Sequence, residues 1–176
     1  MSNSCAFALV NLMGGIAVLS SYFLCIYFYP EFKEVFWGGI YGSTRKIFVA
    51  SMIPAAIGYL AFLYCVIFRP ESGILDNLGF LGQFTLVIFC VCFLVASSIW
   101  MPALVTFLKT GSDLWWNVVV TVLWITSVSL ACMLFTVVFS VGGDVIFRRI
   151  GACGLGYITL HCTVLDATIW VLKFPK

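Results

Sequence analysis

Residues 79–108 read GFLGQFTLVIFCVCFLVASSIWMPALVTFL and contain no charged side chain. A helix needs about 20 residues to cross a hydrocarbon core of roughly 30 Å, so this run is long enough to span a bilayer. Apolar and polar residues do not alternate along the run, as they would in a strand of a membrane β-barrel. The stretch therefore predicts a transmembrane α-helix.

Four further apolar stretches occur in the chain, and short segments that contain charged residues separate them. The five predicted spans are 5–29, 47–68, 79–108, 114–140 and 150–172. The segments between the spans are too short to hold a soluble domain. The sequence therefore predicts an all-α fold, in which residues 1–176 form a single integral membrane domain, a bundle of five transmembrane helices with short loops.

The composition of the whole chain also indicates a membrane protein. Hydrophobic residues make up 63% of its 176 residues, charged residues only 9%, and the mean hydropathy is +1.14. A soluble domain needs far more charge to cover its surface. The net charge of +2 and the lack of a basic cluster argue against a nucleic-acid partner. We expect the lipid bilayer to surround this protein.

The cysteine pattern predicts buried thiols rather than a disulfide framework. All eight cysteines lie inside the predicted spans, whereas structural disulfides join loops on an oxidising side of the membrane. Metal chemistry would need clustered His, Asp or Glu residues, and His161 is the only histidine. We therefore expect neither a metal site nor a cofactor.

The distribution of Lys and Arg predicts the orientation of the chain. If the N-terminus is outside, six positive residues lie on the cytoplasmic side and three outside, as the positive-inside rule favours. This orientation also places the C-terminus in the cytoplasm. The six residues are Lys33, Arg45, Lys46, Lys109, Lys173 and Lys176, and the three are Arg69, Arg148 and Arg149.

Aromatic residues cluster near the predicted ends of the spans. Trp and Tyr are enriched at membrane interfaces, where their rings sit among the headgroups. We therefore expect Trp115, Trp116 and Trp170 to belong to interfacial belts. The first loop is also rich in aromatic residues and is expected to lie along the headgroups.

Asp166 is the acidic residue that lies clearly within a predicted span, about 9 Å inside the hydrocarbon edge. An aspartate near a helix centre costs about 2.5 to 3.5 kcal/mol to insert, so it usually has a partner or a function. Thr163 precedes it by three residues and shares its face. His161 precedes it by five, about 140° around an α-helix, which predicts that the two do not pair. For His161, a neutral buried ring bonded to a carbonyl, a haem ligand and a proton relay are the alternatives.

Two prolines lie within predicted spans. Pro54 and Pro102 each lack an N–H, which frees the carbonyls of Ala50 and Ser98 and predicts a kink in each helix. Freed carbonyls are tolerated in membranes where protein or a wet cavity satisfies them.

Alternating helix directions place Pro54, Pro102, Asn117 and Asp166 at a similar depth. This coincidence predicts a polar pocket in one leaflet, the cytoplasmic one if the orientation above is right. Its candidate ligand-binding residues are Asp166, Thr163, Ser98, Asn117, Trp124 and His161. The alternative is that Asp166 only bonds to neighbouring helices and fixes their packing.

Two functions fit these features. The first is binding or transport of a small apolar or amphipathic molecule in a pocket around Asp166. The second is a non-catalytic structural or assembly subunit, with other membrane proteins or a second copy as partners. An enzyme is not expected and no catalytic residue is predicted, because intramembrane hydrolysis needs a paired nucleophile and base or two acids.

Overall fold

The computed structural model describes residues 3–75 and 84–175, and within these ranges the chain forms helices and loops but no strand. Five of its helices are long and apolar enough to cross a membrane. They are α1 (Asn3–Phe28), α2 (Gly42–Ile67), α3 (Thr85–Thr110), α4 (Asp113–Val138), and a fifth span that runs from Val145 to Lys173. The predicted all-α membrane bundle is confirmed.

The fifth span changes its winding along its length. It begins as α5 (Val145–Leu160), continues as a π-helix (His161–Trp170), which we call the π segment, and ends as α6 (Val171–Lys173). In a π-helix each N–H bonds to the carbonyl five residues earlier instead of four. The winding therefore determines which side chains share a face in this part of the span.

The predicted ends differ from the observed ones by a few residues. α2 begins at Gly42 rather than at 47, because the helix continues through the polar residues that flank the apolar core. α5 begins at Val145 rather than at 150, because the Asp144 side chain caps it by accepting a bond from the Ile146 N–H at 2.7 Å. The predicted start of the third span at 79 lies outside the described residues.

Packing joins the helices in the order α1, α3, α4, fifth span and α2. α2 runs antiparallel to the fifth span. Near one end Gly39 lies against Lys173, at the centre Gly58 meets Gly154, and near the other end Gly143 lies against Ser72. This antiparallel pair positions the candidate site.

The helices α2 and α5 cross in direct backbone contact. A Cβ added to Gly58 would lie 2.6 Å from the carbonyl oxygen of Gly154, and a Cβ added to Gly154 would lie closer still to the Gly58 carbonyl. Small residues at a crossing let membrane helices approach and gain van der Waals contact.

A buried polar group links α1, α2 and α3. The Tyr59 hydroxyl donates to Asn11 Oδ1 at 2.6 Å, and the Asn11 amide donates to the Phe7 carbonyl at 2.8 Å. Cys90 Sγ lies 3.5 Å from the same Oδ1. This group borders one of two apolar cores, which includes Phe62, Leu86, Leu130, Met133 and Leu155.

A second core, rich in aromatic residues, lies near the end of the bundle where α6 ends. Trp116 and Trp170 stack with ring centroids 6.1 Å apart, and each is only 4% exposed. The expectation that these two tryptophans belong to an interfacial belt is therefore wrong, because protein rather than lipid surrounds them. Trp115 is half-buried.

The first loop folds onto this aromatic core. It forms two 3-10 turns, and Phe36 and Ile40 are buried. The Trp170 Nε1–H donates to the Phe36 carbonyl at 3.0 Å. The loop therefore packs on the protein through these side chains. The sequence had instead predicted that it lies along the headgroups.

Candidate functional site

The π segment brings His161 and Asp166 together. His161 Nε2 lies 3.7 Å from Asp166 Oδ2. The prediction that these residues do not pair is wrong, because it assumed α-helical winding, whereas residues five apart share a face in a π-helix. The Thr168 hydroxyl shows the same spacing, since it donates to the carbonyl of Thr163 at 2.7 Å.

Ser51 of α2 contacts the other side of the histidine ring. Ser51 Oγ lies 2.9 Å from His161 Nδ1 and 3.2 Å from the hydroxyl of Tyr157. Three polar side chains from two helices thus meet in the membrane-spanning part of the protein. His161 is buried, Ser51 half-buried and Tyr157 exposed.

The glycine crossing explains why these residues meet. Ser51 lies seven residues before Gly58, and His161 lies seven residues after Gly154. Seven residues are about two helical turns, so each polar residue lies on the same face as its glycine. Because the helices are antiparallel and in contact at the glycines, Ser51 and His161 face each other about two turns away.

A groove opens along this pair of helices. Its volume is about 550 Å³, within the range of small-molecule sites in proteins. The polar cluster of Ser51, Tyr157 and His161 forms part of its wall. The remaining lining residues are apolar: Ile47, Ala50, Leu160, Val164 and Leu165. The groove is thus an apolar channel with one polar patch.

Asp166 lies on the inner side of this patch and does not line the groove. Its side chain is 31% exposed, and the 3.7 Å separation between its Oδ2 and His161 Nε2 connects it to the patch.

A second, basic hollow lies beside the groove at the start of α2. It has a volume of about 460 Å³ and is lined by Gly42, Arg45, Lys46, Val49 and Ala50. Ala50 lines both the hollow and the groove. The hollow and the groove therefore adjoin at Ala50.

Arg45 is held in place at the hollow by the first loop. Its guanidinium bonds to Glu34 at 2.7 Å and lies 4.4 Å from the ring centroid of Trp37. The hydrogen bond and the positive charge of Arg45 lower the pKa of the Glu34 carboxyl from its ordinary value.

Pro54 removes one backbone hydrogen bond of α2 beside the groove. Pro54 lies inside α2 and has no N–H to donate to the carbonyl of Ala50, a lining residue. A carbonyl oxygen without its helical donor is available to a ligand that carries an O–H or N–H. Pro102 lies inside α3, as the sequence indicated.

The remaining predicted pocket residues lie apart from the lining of the groove. Ser98 Oγ donates to the Val95 carbonyl of its own helix at 2.8 Å. Asn117 and Trp124 are exposed on α4, and the Thr163 side chain is half-buried in the π segment. Their part in ligand binding stays a prediction.

Sequence reasoning missed Ser51 and Tyr157 as site residues. Ser51 and His161 are 110 positions apart, so nothing in the sequence links them. The one available indication was Pro54, which marks a local break in the hydrogen bonding of α2 three residues after Ser51. Tyr157 precedes His161 by four residues and so lies on the same face of the fifth span, but this spacing alone does not indicate a site.

Among residues 3–75 and 84–175, no group of three or more His, Cys, Asp or Glu side chains is arranged to hold a metal ion. The only histidine instead bonds to a serine and lies beside an aspartate. Comparison of the chain with protein-family models, with curated proteins and with solved structures finds no match.

Proposed function

We propose that this protein binds a single-chain amphiphilic molecule, taken from the membrane, in the groove between α2 and the fifth span. The observation that carries this proposal is the polar patch of Ser51, Tyr157 and His161 in an otherwise apolar groove. Apolar walls suit an alkyl chain, and a few placed polar groups fix its orientation, as in other small-molecule sites.

The cost of polar groups in lipid supports an occupant of this kind. A hydroxyl or carbonyl that faces hydrocarbon without a partner costs several kcal/mol, roughly 2 to 7. The Tyr157 hydroxyl contacts Ser51 Oγ at 3.2 Å on a side chain that is 41% exposed, and Pro54 has no N–H for the carbonyl of Ala50. A ligand hydroxyl at this depth would donate to the Ala50 carbonyl or accept from Tyr157, whereas an alkyl chain of a bulk lipid would do neither.

The basic hollow supports an anionic head group. Arg45 and Lys46 lie at the start of α2, where a head group would reach the interface, and Ala50 connects the hollow to the groove. The ligand would therefore place its charged head against Lys46 and Arg45 and its chain along Ile47 and Leu160.

We infer that this end of the bundle lies in the cytoplasmic leaflet. The positive-inside rule favours it, because the first loop and the C-terminal tail together hold five of the nine Lys and Arg residues. The amphiphile would then enter from the cytoplasmic side.

The test uses a fatty acid that carries a diazirine in its chain and an alkyne at its end. The full chain is reconstituted in lipid nanodiscs with this probe, irradiated and mapped by peptide mass spectrometry. We expect crosslinks on residues 47–51 and 157–165. Ala50→Phe should fill the groove and reduce crosslinking about ten-fold or more.

Ala56→Phe is the matched control, since Ala56 is exposed on another face of the same helix and does not line the groove. It should leave crosslinking unchanged. Equal labelling of all exposed spans, unaffected by Ala50→Phe, would refute the proposal. If other membrane proteins co-purify with the chain and cover the groove, the function of an assembly subunit would replace it.

A further inference from the structure

Ser51, His161 and Asp166 form a row beside the groove. Ser51 Oγ lies 2.9 Å from His161 Nδ1, and His161 Nε2 lies 3.7 Å from Asp166 Oδ2. A hydroxyl, an imidazole that takes its proton and a carboxylate that orients the imidazole form the nucleophilic unit of serine hydrolases. That unit is recognised by geometry and not by chain order.

We propose that Ser51 is a nucleophile with His161 as its general base, and that the protein hydrolyses acyl esters of anionic single-chain amphiphiles. This inference rests on the proposed function, because the groove and the hollow would hold the substrate. It departs from the sequence-based expectation of a non-catalytic protein. That expectation assumed that no nucleophile and base lie together, and these two residues are in direct contact.

The two ring nitrogens of His161 have different neighbours, and this difference suits a general base. The carboxylate beside Nε2 favours a proton on that nitrogen, which leaves the lone pair of Nδ1 toward the Ser51 hydroxyl. The 3.7 Å separation is longer than a hydrogen bond, and such contacts often tighten only when a substrate is bound. Asp166 is therefore a positioning residue.

The reaction has two balanced halves. Ser51 Oγ attacks the ester carbonyl carbon while its proton passes to His161 Nδ1, and the carbon–oxygen bond to the alcohol then breaks. The alcohol leaves with that proton, and the acyl group stays on Ser51 Oγ. Water then attacks the acyl group, gives a proton to His161 Nδ1, and the carboxylic acid leaves as Ser51 recovers its hydrogen.

Tyr157 and the hollow supply the remaining requirements. The Tyr157 hydroxyl, 3.2 Å from Ser51 Oγ, would donate to the oxyanion that forms on the carbonyl oxygen. The hydrolytic water would enter from the hollow at the start of α2, which adjoins the groove at Ala50. Lys46 precedes Ser51 by five residues, about 7.5 Å along the helix axis and about 140° around it, and its long side chain can reach toward the groove. A glycerol linker between an anionic head and an ester spans such a distance.

The experiment measures covalent labelling of the purified full chain in nanodiscs by a long-chain alkyl fluorophosphonate, with the modified peptide identified by mass spectrometry. We expect the label on Ser51. It should be absent in Ser51→Ala, and His161→Gln should slow it about 100-fold or more, as loss of a general base does. Ser21→Ala, a half-buried serine of α1 that bonds to its own helix, should label like the wild type.

The diazirine fatty acid is crosslinked to the same samples, which separates the two proposals. Crosslinking in the groove without a fluorophosphonate adduct on Ser51 would overturn the hydrolase and leave the binding function intact. Absence of both would overturn both. An adduct that persists in Ser51→Ala would place the reactive group elsewhere and would also overturn the hydrolase. A thermal unfolding midpoint of Ser51→Ala equal to that of the wild type shows that this variant is folded.

Discussion

Gly58 of α2 and Gly154 of α5 meet backbone to backbone where the two helices cross, and neither position has room for a Cβ. The crossing fixes the distance between the helices. It also determines the alignment of Ser51 with His161, two turns away.

We expect Gly58→Ala to destabilise the protein, because the added methyl group would lie 2.6 Å from the Gly154 carbonyl oxygen and would push the helices apart. Overpacking of this kind costs about 1 to 3 kcal/mol. The measurement is the thermal unfolding midpoint in mild detergent. Gly15→Ala is the control, since nothing lies within 4 Å of a Cβ there. Equal midpoints for both variants would contradict the close crossing.

We expect Tyr59→Phe to lower the free energy of unfolding by about 1 kcal/mol, because Asn11 would lose the hydroxyl that donates to it at 2.6 Å. Tyr27→Phe makes the same chemical change on an exposed side chain and should have little effect. Unfolding in a denaturing detergent series measures both. A loss of the same size in Tyr27→Phe would show that the Asn11 bond is not the cause.

We expect Trp170→Phe to loosen the first loop, since the indole N–H that donates to the Phe36 carbonyl is removed. A hydrogen bond of this kind contributes about 1 kcal/mol net, and the carbonyl would be left in an apolar environment. The readout is the rate of limited proteolysis between residues 30 and 41. Trp115→Phe serves for comparison. Unchanged cleavage in Trp170→Phe would mean that side-chain packing alone holds the loop.

We expect the first loop to lose order at low pH. Arg45 lowers the pKa of Glu34 in the folded protein, so the pair contributes stability above the ordinary carboxyl pKa of about 4. That contribution is lost as the pH falls through the lowered value. The effect should be small and should decrease in salt, because the Glu34 side chain is 74% exposed and that of Arg45 35% exposed.

Hydrogen exchange of residues 30–45, normalised to the intrinsic rate at each pH, measures this change. Glu34→Gln should show the faster exchange already at pH 7 and no further change on acidification. If the variant and the wild type have the same pH dependence, another group is responsible.

We expect Asp166→Asn to slow fluorophosphonate labelling of Ser51, because the amide no longer orients His161 as a carboxylate does. Asp166→Glu should recover most of the rate, since the 3.7 Å separation leaves room for a longer side chain. Recovery of the labelling rate by Asp166→Glu would show that Asp166 positions His161 through its charge. If Asp166 only packed against its neighbours, Asn would serve as well as Asp. Wild-type labelling in Asp166→Asn would remove Asp166 from the proposed unit.

The long apolar runs were sufficient to predict the number of spans and the helical class. The length of each apolar run and its lack of charged residues are properties of the local sequence alone. Helix ends were less certain, because caps such as Asp144 extend a helix beyond its apolar residues. Tertiary packing determined the position of Trp116, which the sequence assigned to an interface and the fold buries.

The site was less predictable than the fold for two physical reasons. The contact between Ser51 and His161 depends on a helix crossing that no local pattern encodes. The approach of His161 to Asp166 depends on π winding, and the residues 161–170 carry no sequence mark of it. Asp166 itself was identified, because a carboxyl within an apolar span is conspicuous at the level of composition.

The π segment also separates two parts of the fifth span that pack on different neighbouring helices. Before residue 161 the span packs mainly on α2, and beyond it the span packs mainly on α4, where Trp170 stacks on Trp116. A change in winding rotates every later side chain around the helix axis. One continuous helix thereby presents glycines to α2 and an indole to α4. A one-residue deletion within 161–166 would therefore turn Trp170 away from Trp116 and leave the glycine crossing in place.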